Sequence, residues 1–350
     1  MSIPRELTLA DLNAAGRHRY VALYFAEHVL GQERFARWLG SARERNRRQM
    51  LDYFRSWPTE QRRPVREVTF TTHADFYNAG PDWEPAVFRG LASQWPAVRK
   101  WNLDFFADRY GETQQVQIDQ EGLYGEGEHG RKIVTKMGHL IGAIRAGRRE
   151  ALRFMPTVDD HPELRKDLDM EWLRGFRSRF SLREFTQFFL APAATFTPVH
   201  CAHESNAFIQ IHGRKRWYLW PARHQQLIQP ICDRRPYFHA TYYPGPSDGT
   251  PQLGAYAPAY EVVLHPGDVL YVPPFVWHAV ENLDATIALA YRFFSMRVAF
   301  RSSRAMTLIK FLATRPSLLH GLVCPRRSVT RQCHTPGCPF ALEETIADAA

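Results

Sequence analysis

Two stretches of this chain hold side chains that could grip a divalent metal and a carboxylate beside it. The first, TFTPVHCAHESNAFIQIHGRKRWYLWP, carries Thr197, His200, Glu204, Asn206 and Lys215; the second, HPGDVLYVPPFVWHAVEN, carries His278. Imidazole suits first-row divalent metals, and a buried ammonium makes a strong charge-assisted bond to a carboxylate. On an extended strand alternate side chains share a face, so His200, Ala202, Glu204 and Asn206 are expected to point one way. His278 follows His200 by 78 positions, so one metal can bridge them only if the fold lays two distant strands side by side. A lone histidine is more often half-buried and structural than a ligand, so the assignment rests on the context of both.

That context is a β-rich fold. Beyond residue 180 the chain breaks into short runs bounded by Gly and Pro: FTPVH, NAFIQIHG, KRWYLWP, YEVVLHPGDVLYVPP, WHAVENL and TIALAYRFF. Such runs at turn-like spacing predict an antiparallel sandwich or barrel. Gly213 marks the turn before Lys215, and Gly267-Asp268 the turn before VLYV. Residues 221–258, rich in Pro, Tyr and Gly, read as a long irregular insertion of the kind that shapes a substrate mouth. The chain divides into three zones: a helical N-terminal extension over 1–65, the barrel over 66–297, and a helical C-terminal extension with a Cys-containing tail over 298–350. In the first zone Phe35, Trp38, Leu39, Met50, Leu51 and Phe54 give pieces of an apolar helical stripe, expected to pack on the barrel.

The residues around the two histidines resemble the JmjC and cupin-like hydroxylases, above all the factor-inhibiting-HIF type of asparaginyl hydroxylase. That family shows T-P-x-H-x-D, an Asn four residues after the Asp, Q-x-x-G-x-K, and later G-D-x-L-x-x-P and W-x-H-x-V. This chain has Thr197-Pro198-Val199-His200, Asn206, Gln210, Gly213, Lys215, Gly267-Asp268-Val269-Leu270, Pro273 and Trp277-His278-Ala279-Val280. Arg89-Gly90-Leu91, Trp95-Pro96-Ala97 and the segment from Trp101 to Gly111 look like the family's entry region. Several spaced motifs in the right order are more specific than one short match. The resemblance covers roughly 66–297 and implies a double-stranded β-helix, a jelly-roll barrel with helical additions. It implies Fe(II) held by His200 and His278, and 2-oxoglutarate held by Lys215 and Thr197 with Asn206 lining its pocket. It also implies oxidation of an unactivated C–H bond with O₂, on a peptide or protein side chain or a small metabolite, and homodimerisation through the helical additions.

One position departs from the pattern. Where the family has the aspartate ligand, this chain has Ala202, and a methyl group cannot ligate iron. Glu204 could replace it from the same strand face, with His203 a weaker substitute. Alternatively the position stays open, as in related iron halogenases, and a halide fills it. In a third reading the iron site has decayed and the barrel only binds.

Elsewhere, Cys324, Cys333 and Cys338 with His334 or His320 could make a structural Cys₃His zinc site, although the spacing C-x₈-C-x₄-C lacks the paired C-x₂-C signature. Cys201 reads as a core residue facing away from the metal. The formal charge of +9 suits anionic ligands, but no nucleic-acid module accompanies it. MSIPRELTLADL has no signal-like apolar core and no apolar run reaches membrane-spanning length. Five cysteines in 350 residues make no disulfide scaffold, so a reducing, cytoplasmic setting is expected.

Overall fold

The computed structural model describes residues 5–312 except 70–72, 74–75, 77–79, 119–131, 149–151, 178–180, 182–183, 232–237, 242, 244 and 246–251. Eight strands form the barrel: β1 (Glu184–Ala191), β2 (Thr195–Ala202), β3 (Ser205–His212), β4 (Lys215–Trp220), β5 (Ala259–Leu264), β6 (Val269–Val272), β7 (Trp277–Asn282) and β8 (Thr286–Phe293). They fall into two facing sheets, ordered β5-β4-β7-β2 and β6-β3-β8-β1, with all neighbours antiparallel. Almost every connection carries the chain from one sheet to the other, which is the jelly-roll arrangement. The exception is β4 to β5: both lie in the first sheet, separated by the Pro- and Tyr-rich insertion. Short edge strands extend both sheets, Arg62–Pro64 beside β5 and Ala86–Phe88 beside β6 among them.

The alternation of side chains along these strands builds three apolar layers. Between the sheets lie Phe208, Trp217, Leu219, Leu270, Val280 and Ala290. Outside the second sheet, Ile209, Leu289 and Tyr291 meet Trp101, Phe106 and Leu140 from covering helices. Outside the first, Trp220 and Trp277 meet the N-terminal helices α1 (Leu9–Ala14), α2 (Arg17–Leu30) and α3 (Gln32–Phe54) through Tyr24, Met50 and Phe54, together with Met306 and Ile309 of the C-terminal helix Arg304–Leu312. The N-terminal helices and the described part of the C-terminal addition therefore pack on the barrel. Phe35, Met50 and Phe54 are buried, but Trp38 is 64% exposed. Asn46, Met50 and Phe54 form the buried stripe of α3; each step of four overshoots a helical turn by about 40°, so Trp38, four such steps before Phe54, is turned to the opposite side of the helix. Among the described residues no helix is long and apolar enough to cross a membrane.

Gly213 is fixed by its turn. Its φ is +67°, and a Cβ there would sit 2.2 Å from the carbonyl oxygen of Ala285, so only glycine carries the chain from β3 across to β4.

The anchor of β8 titrates. Burial alone would push the Glu184 carboxyl up, but hydrogen bonding from Tyr291 and the charges of Arg174 and Arg177 outweigh it and hold it below the usual carboxylate range; the Tyr291 hydroxyl donates to it at 2.6 Å. A carboxyl with a lowered folded pKa contributes stability in full above its unfolded value and loses it as pH falls through the folded value. Glu184→Gln is therefore expected to cost about 1–2 kcal/mol at pH 7. That deficit should close on acidification below the ordinary carboxylate range. Thermal melts across pH check this, and a deficit that does not change with pH would refute it.

Candidate metal and cosubstrate site

His200 of β2 and His278 of β7 face each other directly across two paired strands, their rings 4.2 Å apart between centroids. Each ring is fixed by the same device: Nδ1 of His200 lies 2.9 Å from the carbonyl oxygen of Pro198, and Nδ1 of His278 lies 2.9 Å from that of Val276. A carbonyl can only accept, so both Nδ1 atoms donate, and in the neutral ring that leaves the lone pair on Nε2, the tautomer a metal requires. Burial, aided by the charge of Arg292 and opposed by the Val276 bond, pulls the His278 pKa down to about 4. Its imidazole is thus neutral at physiological pH. Trp217 stacks on it, with ring centroids 5.3 Å apart.

A bulge makes room for the third member of the motif. In the pairing of β2 with β7, Thr197 stands opposite Val280 and His200 opposite His278, so β2 spends one residue more than its partner over Pro198–Val199. Proline has no N–H for the ladder, and a bulge is where a strand tolerates it. Without that residue Thr197 and His200, three apart, would point to opposite faces; with it both line the same cavity.

Lys215, the first residue of β4, is 4% exposed and lines the far part of that cavity. Its ammonium donates to Oδ1 of Asn282, whose own amide donates to Oγ1 of Thr195 at 2.7 Å. The turn that aims it is held by Gln210, which donates to the carbonyls of His212 and Gly213 at 2.8 and 2.9 Å. Asn206 also lines the cavity, and among the described residues its buried Oδ1 has no hydrogen-bond partner, an acceptor that a bound polar molecule would satisfy. Two facing imidazoles, that of His278 held neutral, with a buried ammonium and an unsatisfied amide in one apolar-walled cavity fit a divalent metal with a small carboxylate ligand.

The strand expected to run unbroken from His200 to Asn206 does not form. β2 ends at Ala202, the chain turns through His203 and Glu204, and Asn206 belongs to β3 in the opposite sheet. Glu204 is buried, 3.3 Å from His203 Nε2 and 3.8 Å from Arg292 Nη1, and is not part of the cavity lining. The turn thus sets it between His203 and Arg292, outside the cavity lining. Among the described residues no three His, Cys, Asp or Glu side chains gather to hold a metal, and Ala202 offers only its methyl group.

Arg292 is a cavity residue that spacing and motif did not single out, as is Asn282. β8 places Ala288, Ala290 and Arg292 on the inner face, while Ile287, Leu289, Tyr291 and Phe293 face outward. The signal was present as an arginine in phase with two alanines inside an otherwise apolar strand. Arg292 is 6% exposed and its Nε has no partner. Burial pulls its pKa down, and the Glu204 carboxylate only partly restores it.

Asp268 and Arg89, matched by the motif, are scaffold. Arg89 donates to Asp268 at 2.7 Å, and Asp268 also accepts from the backbone of Gly90 and His265 at 2.9 and 3.0 Å. Together they close the turn before β6. Cys201 is buried in the core, its thiol pushed up by desolvation. The tail residues Cys324, Cys333, His334 and Cys338, with His320, lie outside the described residues.

Comparison with known proteins matches residues 74–300 to the family model described as cupin-like domain. Lysine-specific demethylase 8 of Xenopus tropicalis is 21% identical over 214 residues, 59% of this chain and 47% of the relative. HSPB1-associated protein 1 of Homo sapiens is 29% identical over 236 residues, covering 57% and 46%. Lysine-specific demethylase JMJ30 of Arabidopsis thaliana is 25% identical over 225 residues, covering 62% and 51%. The chain spans about half the length of these curated relatives.

Proposed function

The chain belongs to the cupin-like domain family, and from that premise we propose that it is an Fe(II)- and 2-oxoglutarate-dependent oxygenase. Its reaction is hydroxylation of an unactivated C–H bond in a peptide side chain or small metabolite. The observation that carries this reading is the cross-strand His200–His278 pair, both rings locked with Nε2 as the ligating nitrogen, in one cavity with buried Lys215. When bound, the metal and the 2-oxo acid supply the oxidising power for C–H cleavage. His200 and His278 hold the metal; Lys215 takes the distal carboxylate, with the Thr197 hydroxyl beside it. Phe189, Phe208 and Trp217 wall the cavity and keep bulk water from the reacting carbon. Two of the relatives are named lysine-specific demethylases, which keeps a methyl C–H on a lysine side-chain nitrogen among the targets.

The test is anaerobic addition of Fe(II) and 2-oxoglutarate, read by the charge-transfer absorbance of their complex, then succinate release on admitting air. Absence of the band at saturating metal would sink the proposal and leave a barrel that binds without turnover.

Ala202 favours a second reading, in which a halide fills the ligand position and is transferred to the substrate. Ala202→Asp separates the two. For a hydroxylase the added carboxylate should tighten Fe(II) binding by about 100-fold, the scale of one ligand, and preserve or raise hydroxylation. For a halogenase it should abolish halogen transfer and any chloride dependence of the absorbance.

A further inference from the structure

Arg292 is a buried guanidinium at the end of the cavity remote from Lys215. By register Lys215 pairs with Asn282, four residues along β7 from His278, about 13 Å of strand. Arg292 instead stands opposite Asn206, at the start of β3 just past the turn that follows Ala202. The cavity therefore has a cation at each end. None of its lining residues is acidic. The carboxylate of Glu204 is 3.8 Å from Arg292 and also 3.3 Å from His203. Among the described residues Nε of Arg292 has no hydrogen-bond partner.

A buried charge without full compensation is costly, so charge balance decides what else must bind. A bound dication, Lys215 and Arg292 bring four positive charges. The 2-oxoglutarate dianion and the Glu204 carboxylate bring three negative ones. One positive charge remains, the one an aspartate at position 202 would have cancelled.

We infer that Arg292 holds a second anion, a monovalent one, in the end of the cavity that it lines with Asn206. This rests on the oxygenase reading for the identity of the other ligands, but the arginine and its unsatisfied Nε stand without it. Two sources share that chemistry: a free halide, or a carboxylate carried by the substrate. A guanidinium fork accepts either, the carboxylate in two parallel hydrogen bonds.

The experiment titrates bromide and formate separately into the full chain loaded with Mn(II) and 2-oxoglutarate in halide-free sulfate buffer, followed by tryptophan fluorescence, with Trp217 stacked on His278 as the reporter. Saturable binding of bromide alone identifies a halide site, and of formate alone a carboxylate site. In either case Arg292→Gln should weaken binding by about tenfold or more, while Arg292→Lys retains part of it. If neither anion saturates, or Arg292→Gln binds as well as the unaltered protein, the inference is overturned. If Arg292→Gln does not fold, anomalous scattering from bromide-soaked and selenoformate-soaked crystals of the unaltered protein decides: a peak touching Arg292 supports the site, and its absence in both overturns it. If the protein takes up neither Mn(II) nor 2-oxoglutarate, it is the oxygenase reading that fails. The same titration on the metal-free chain then decides for Arg292 by itself.

Discussion

His278→Ala is expected to lose Mn(II) affinity by at least about 100-fold and to stop 2-oxoglutarate turnover. The magnitude follows from spreading the roughly 10–16 kcal/mol of a four-ligand structural zinc site over its ligands, about 3 kcal/mol each. A site with only two protein ligands has no reserve: with Ala202 in the third position and Glu204 turned toward His203 and Arg292, removal of one imidazole leaves a single one. His200→Ala should behave alike, since the two rings are equivalent in register and in their Nδ1 anchors. Metal titration by calorimetry checks this, with a thermal melt to confirm folding. Unchanged affinity in a folded variant would place the metal elsewhere.

The second large effect is expected at Lys215. Breaking a buried ion pair by removing one partner costs about 3–5 kcal/mol, so Lys215→Met should weaken 2-oxoglutarate binding by roughly 100-fold or more. Methionine keeps most of the side-chain length and apolar stem, so the barrel should survive. The readout is the rise in melting temperature that 2-oxoglutarate gives in the presence of Mn(II), which grows with ligand concentration over Kd. That rise should vanish in the variant while Mn(II) binding persists. A full rise in Lys215→Met would assign the carboxylate to another residue, with Arg292 the first to examine.

Much of this cavity was legible in the linear chain, and the parts that were not share a cause. Spaced motifs located His200, His278, Thr197, Asn206 and Lys215, all of which line one cavity, and the short β-runs indicated a jelly roll. What failed was the extension of strand alternation through places where the strand is not regular. The bulge at Pro198–Val199 shifts Thr197 into phase with His200, and the turn at His203–Glu204 moves the chain to the other sheet. Alternation carried across that turn put Glu204 beside the metal. Carried along β8, which is regular, it would have found Arg292. The divided role of the motif residues was equally hidden: Asp268 and Gln210 match as well as Lys215 does, yet they shape turns, because whether a polar side chain meets ligand or backbone depends on pairing that spacing does not record.

The alternation of the strands between two sheets also sets when the site comes into existence. His200 and His278 sit on directly paired strands that β3, β4, the insertion, β5 and β6 separate in sequence, and contacts of such long sequence separation are late and slow to form. No contiguous fragment shorter than the stretch from β2 to β7 contains both ligands. A nascent chain that has not yet reached β7 therefore lacks the paired site, and on the proposed reading metal uptake would report a late stage of folding.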